Sequence, residues 1–287
     1  MAAGDPVLDL SDYVNLVTGG NSGTPEQLWW FKDARQNGAA AAAPVSGRIT
    51  SLWQYDGFPS GASNTAPSTA AVPTNATAGA LKQTSPGGGR TKRLAGYNLG
   101  GISAAGTLVV YDRLSHQGGL SGTSTSAQTT NLPTAALTRY TNGEGVMPWL
   151  EIYTAVGTTA TTVTISYTDQ GGTTGNTSLA TVFGSAGFNN INRIIPIPLA
   201  AGDYGCRAVA SVTVLATTGT AGNFGVTLAK PLFAIPAPVL GMGDCRSFLA
   251  EPGGPLAIGD DACLAMTWLA NTTTIPQVHF GLFFFEK

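Results

Sequence analysis

Val156–Thr168 reads VGTTATTVTISYT. Val163, Ile165 and Tyr167 alternate with Thr162, Thr164, Ser166 and Thr168, the period-two pattern of a strand with one buried face. Asp169-Gln170-Gly171-Gly172 then supplies a turn. The same grammar recurs on both sides. Strands are predicted at Arg48–Tyr55, Leu94–Leu99, Thr107–Leu114, Trp149–Ala155, Thr161–Thr168 and Thr177–Phe183. Further ones are predicted at Arg193–Pro198, Ala208–Ala216, Asn223–Leu228, Leu264–Leu269 and Gln277–Phe285. Short strands at this spacing, joined by glycine turns, predict an all-β fold: a jelly-roll-like β-sandwich or a barrel, with an N-terminal arm and long surface loops.

Three regions emerge. Residues 1–47 form an arm. There Thr24-Pro25-Glu26-Gln27 reads as a capping box with proline at the first helical position, closed by Gly38, which favours a short helix over Leu28–Phe31. The same run, LWWF, is also good strand material. Ala39–Pro44 looks like a linker. Residues 48–143 form a first β region carrying Pro59–Gly89, an unpatterned span read as a surface excursion. Residues 144–287 form a second, with a seam near Gly143–Gly145; the two regions make one domain or two.

Composition limits function. The chain has 38 Gly and 17 Pro, above average usage, so turns are many. Only 10% of its 287 residues are charged, and the net charge is −2. That balance gives no basic face for nucleic acid. The most apolar stretch, Ile275–Phe285, is too short to span a bilayer and carries Pro276 and His279. The opening MAAGDPVLDL does not look like a secretory signal, so synthesis in a cytoplasm is expected.

Constellations that carry chemistry are few. Thr18–Pro25, TGGNSGTP, looks like a trypsin-type nucleophile segment with Ser22 in the serine position, but both histidines follow it, against the order of that fold. In Tyr111–Gly119 the residues Asp112, Ser115 and His116 offer an acid, a hydroxyl and a base. On a regular strand, however, Asp112 and Ser115 face opposite sides, and His116 shares a face with Asp112. A strand-end histidine with a local partner is the plainer reading. His279, in the aromatic C-terminal run, reads as a core or interface residue.

Cys206, Cys245 and Cys263 are too widely spaced for a zinc site and read as free thiols, with a Cys245–Cys263 bridge as the one pairing left open. Asp260-Asp261 reads as a polar turn, not a calcium loop. Ser85–Arg93, SPGGGRTKR, lacks the Walker spacing but gathers Arg90, Lys92 and Arg93, which Asp5, Asp9 and Asp12 of the arm would complement. The sequons at Asn75, Asn176 and Asn271 follow from an Asn/Thr-rich composition. Trp53 with Tyr55, and Trp149 with Tyr153, are spaced to share strand faces and would suit a sugar platform or a core. No catalytic residue, metal or cofactor is expected.

The segments AGTLVVYDRLSHQGGLSG (105–122), SLWQYDG (51–57), PTNATAG (73–79), SPGGGR (85–90) and IPIPLAAG (195–202) resemble structural proteins of tailed bacteriophages, over roughly residues 25–235. The resemblance is to capsid decoration, or cement, proteins. It implies a non-enzymatic protein on the capsid exterior of a virion. Its partners would be the major capsid protein and copies of itself; a trimer suits three-fold positions. Expected contact residues are Leu28, Trp29, Trp30 and Phe31, then Arg90, Lys92 and Arg93, then Phe283 and Phe285. Three successive phenylalanines at 283–285 equally suit a core strand buried on both faces. The other function that fits is a tail or fibre component binding host-surface glycan.

Overall fold

A computed structural model describes residues 14, 26–33, 43–62, 66–86, 89–133, 135–185, 187–248 and 254–286. Every element among them is a strand, so the all-β expectation holds. Six strands close a barrel in the order β11 (Arg193–Pro196), β2 (Ile49–Ser51), β16 (Leu264–Ala270), β5 (Gly106–Leu120), β13 (Asn223–Ala237) and β7 (Met147–Thr154). Strands β2 and β5 come from the first predicted β region and the other four from the second, so both regions share this barrel.

Two sheets flank it. The six-stranded one runs β14 (Asp244–Ser247), β4 (Lys92–Ile102), β17 (Gln277–Glu286), β1 (Glu26–Asp33), β3 (Gly57–Phe58), with β15 (Leu256–Ile258) also on β4. The five-stranded one runs β10 (Thr181–Phe183), β8 (Thr161–Asp169), β12 (Cys206–Val214), β6 (Gln128–Leu132), with β9 (Asn176–Thr177) also on β8.

Each flanking sheet seals an apolar core against the barrel. Leu94, Tyr97, Leu99, Phe280, Leu282 and Phe284 meet Leu108, Val110, Ile235, Met266 and Trp268. Val163, Ile165, Val209 and Val212 meet Leu150, Ile152, Phe224, Val226 and Leu228. The alternation of Thr161–Thr168 is therefore what it looks like: Val163, Ile165 and Tyr167 are buried, and Thr162, Thr164, Ser166 and Thr168 are not. The long strands β5 and β13 serve both cores, one with each half. Prolines 231 and 236 are tolerated in β13 because β7 pairs with it only as far as Ala229.

The arm departs from expectation. Glu26–Asp33 is a strand, paired along its length with β17. Thr24, Pro25, Gly38 and Ala39–Ala42 lie outside the described residues. Burial of Trp30 and Lys32 against the sheet outweighs the local capping pattern. Pro59–Gly89 is likewise more than a surface excursion. Its Ala66, Ala80, Leu81 and Gln83 are buried, and Ala71 exchanges both main-chain bonds with His116 (2.8 and 3.0 Å).

Candidate functional site

The barrel interior is polar. Small residues on its inward face, Thr227, Ala229, Cys263 and Ala265, leave room for Tyr111, Trp149 and Trp53. Around them lie Arg113 and Glu151, both fully buried and in direct ion contact. Arg113 also donates to Tyr111 Oη (3.2 Å), to Tyr153 Oη (3.2 Å) and, from Nε, to His116 Nδ1 (3.1 Å). The Trp53 ring covers its guanidinium at 4.7 Å. Glu151 accepts from Thr227 Oγ1 (2.7 Å) and Tyr153 Oη (3.2 Å).

Burial alone would raise the Glu151 pKa, but Arg113 and these hydrogen bonds outweigh it and hold the carboxyl below its usual range. The His116 pKa also falls, but here burial acts with the neighbouring charge and not against it. Burial, then the Arg113 charge, pushes it down to about 3, so the imidazole is a neutral acceptor. Its tautomer follows from Nδ1 accepting from Arg113. Arg113 and Glu151 are closed off from solvent, Tyr153 is 2% exposed and His116 8%.

The expected sharing of a face by Asp112 and His116 fails for an identifiable reason. Arg113 pairs with Ala229 and Ser115 with Leu228, so Leu114 is an extra residue, a bulge. Past it the parity of β5 inverts. His116 joins Arg113, while Asp112 accepts from Arg139 at 2.8 and 2.9 Å and from the Cys263 amide at 3.0 Å. Arg139 also reaches Asp261 (2.9 Å) and the Pro73 carbonyl (3.4 Å), pinning the 59–89 span to the barrel.

A second buried cation has no acid beside it among the described residues. Arg193 is 1% exposed, and its Nη1 donates to Thr50 Oγ1 (2.9 Å). Its Nε, the Tyr55 hydroxyl and the Asn192 amide beside it are buried without well-formed partners. Of the two readings of the paired aromatics, the core holds and the sugar platform does not: Trp53, Tyr55, Trp149 and Tyr153 are all buried inside the protein.

The accessible candidate is the outer face of the six-stranded sheet. Residues paired across strands share a face, so Phe58, Phe31 and His279 form one row, and Trp29 with Gly281 the next. Trp29 lies on Gly281, where a β-carbon would come within 3.0 Å of the indole. Phe31 and His279 rings are 4.7 Å apart. Phe58 is 71% exposed and Trp29 47%. Phe283 is half-buried on the same face, beside a hollow of about 300 Å³ lined by Gly96, Cys245 and Arg246.

Of the expected contact residues, then, Trp29, Phe31 and Phe283 come together on one outer face. Leu28 and Trp30 turn inward against the core. Lys92 is fully buried, ion-paired with Glu26, and Phe285 is buried in the protein, so neither side chain is presented at the surface. Arg90 lies 3.8 Å from Glu286, and Arg93 donates to the Pro255 carbonyl (3.2 Å). Ser22, Asp5, Asp9 and Asp12 lie outside the described residues. His279 is exposed, on the sheet face and not in the core. Cys245 and Cys263 are both free, the first exposed and the second buried. Comparison with protein-family models, with curated proteins and with solved structures finds no match.

Proposed function

We propose that this chain is a non-enzymatic structural protein of a bacteriophage virion, decorating the capsid exterior and clamping neighbouring capsomers. The observation that carries this reading is the aromatic outer face of the six-stranded sheet, where Trp29 and Phe58 stand exposed beside Phe31, His279 and Phe283. Exposed aromatic side chains bordered by half-buried ones are what the centre of a protein interface is made of. Three titratable groups with strongly perturbed environments, Arg113, His116 and Glu151, are spent on holding the barrel together. The segment resemblance to cement proteins points the same way. In this reading the protein is made in the host cytoplasm, and its partners are the major capsid protein and copies of itself. A second reading, glycan binding by a tail or fibre component, draws on the same exposed indole and phenyl rings.

Cryo-electron microscopy of purified virions separates the two. Density for this fold over capsomer junctions around the whole shell supports the clamp. Density confined to the tail overturns it and favours glycan binding. On the clamp reading, a Trp29→Ser/Phe58→Ser variant loses its binding to shells that lack the protein.

A further inference from the structure

Strand β1 has two edges. One pairs with β17 from Glu26↔Phe284 to Asp33↔Gln277. The other meets β3 only at Phe31 and Lys32, with the Asp33 amide reaching the Asp56 carbonyl at 2.9 Å. Main-chain groups of alternate residues point to opposite edges, so the Asp33 bond assigns odd-numbered residues to the β3 side. Gln27 and Trp29 therefore aim N–H and C=O outward, where no strand among the described residues faces them.

That open edge borders a groove of about 740 Å³, walled by Gln27–Trp30 on one side and by Gly57–Ser60 and Lys82 on the other. Two further features point to an occupant. The two aromatic rings most exposed along the groove, Trp29 and Phe58, stand at its rim. Among the described residues Lys82 is the one charged side chain in its lining. Free strand edges are normally blunted by charge, proline or a covering loop, and Gln27–Trp30 has no charge and no proline.

We propose that this groove is a β-augmentation site, taking an extended acidic segment of another polypeptide as an added strand on β1. The segment exchanges main-chain hydrogen bonds with Gln27 and Trp29. Its apolar side chain enters between Trp29 and Phe58, and its carboxylate meets Lys82. Four residues, Gln27–Trp30, span about 13 Å at about 3.3 Å each, enough for a short strand. The inference rests on edge geometry and not on the virion reading; if both hold, the added strand is an arm of a neighbouring shell subunit.

The test pans the full-length protein against a random peptide display library and measures selected peptides by fluorescence anisotropy and hydrogen exchange. Gln27→Pro removes one outward amide and leaves the β17 ladder intact, because the inward bonds belong to even-numbered residues. The expected peptides alternate apolar residues and carry an acid. They slow exchange at Gln27 and Trp29, and they bind Gln27→Pro about tenfold more weakly, the loss of one well-placed hydrogen bond. N-methylation of the peptide amide that faces β1 weakens binding to the unaltered protein similarly, which keeps the test decisive if the proline variant misfolds. The inference is overturned if no peptide is enriched, if both blocks leave affinity unchanged, or if soluble oligosaccharides protect these amides and peptides do not. Shell density in the particle images with no peptide binding would remove this inference alone.

Discussion

Replacing Arg113 by Met tests whether the barrel interior is held by its ion pair. The variant leaves the Glu151 carboxylate fully buried with only the Thr227 and Tyr153 hydroxyls as donors, and it strips His116 of its partner. Breaking a buried pair by removing one member costs about 3–5 kcal/mol. At about 2–3 °C per kcal/mol for a chain of this size, Tm falls by roughly 6–15 °C. The double variant Arg113→Met/Glu151→Leu removes the stranded charge together with the cation and recovers most of that loss. The pH dependence gives a second readout. Without Arg113, burial raises the Glu151 pKa above its unfolded value, so the folded state holds the extra proton and the deficit is smaller at pH 5 than at pH 8. Differential scanning calorimetry and urea unfolding of the native protein, Arg113→Met, Glu151→Leu and the double variant measure these effects. A single variant that costs under about 1 kcal/mol, or a double variant no better than the single, refutes the reasoning.

Lys32 donates to the carbonyls of Tyr55 (3.1 Å) and Pro59 (2.7 Å), and burial, partly offset by Asp56, lowers its pKa from 10.5 to about 8. The unfolded chain therefore binds the extra proton between those values, and stability rises with pH across that window. Relative to Lys32→Met, the native protein gains about 2 kcal/mol between pH 7 and pH 9.5 in urea titrations; a flat difference would count against the burial. Arg193→Met removes a buried cation without a carboxylate and is expected to stabilise the fold by about 1–2 kcal/mol in the same assay, with destabilisation the contrary result. Under native conditions a thiol reagent should modify Cys245 alone. Cys206, pushed up to about 12 by burial, and Cys263, raised by the same cause, should react only after denaturation. Peptide mapping that found a Cys245–Cys263 disulfide would contradict the structure.

The parts of the fold legible in the sequence were those set by local period. Thr161–Thr168 alternates without interruption, and its register against β12 keeps its apolar residues on the core side. The arm was misread because a capping pattern is a statement about a helix in isolation, whereas Glu26–Asp33 is held by β17, far along the chain. The bulge at Leu114 left no mark in composition, yet it decides which residues His116 meets. Arg113 and Glu151 do carry a signal in the sequence: in a chain with 10% charged residues, VVYDRL and PWLEIYT set charges inside otherwise apolar strand runs. Such placement marks charges that pair in the interior. The outer aromatic row is half legible, since Trp29 and Phe31 stand out in sequence while Phe58 falls between the predicted strand Arg48–Tyr55 and the unpatterned span Pro59–Gly89.

The strand made latest among the described residues is the central one of its sheet. Strand β17 lies between β4 and β1, and Gln277 Nε2 reaches back to Asp33 Oδ2 at 2.9 Å, across 244 positions. While the ribosome is still at work, β1 has emerged and waits with its Trp30 face uncovered until Gln277–Glu286 is made. Contacts of such separation fold slowly, and nascent chains that expose them invite aggregation. A chain that lacks Gln277–Glu286 would thus have no strand to join its arm to β4, so this sheet closes only after β17 has been made.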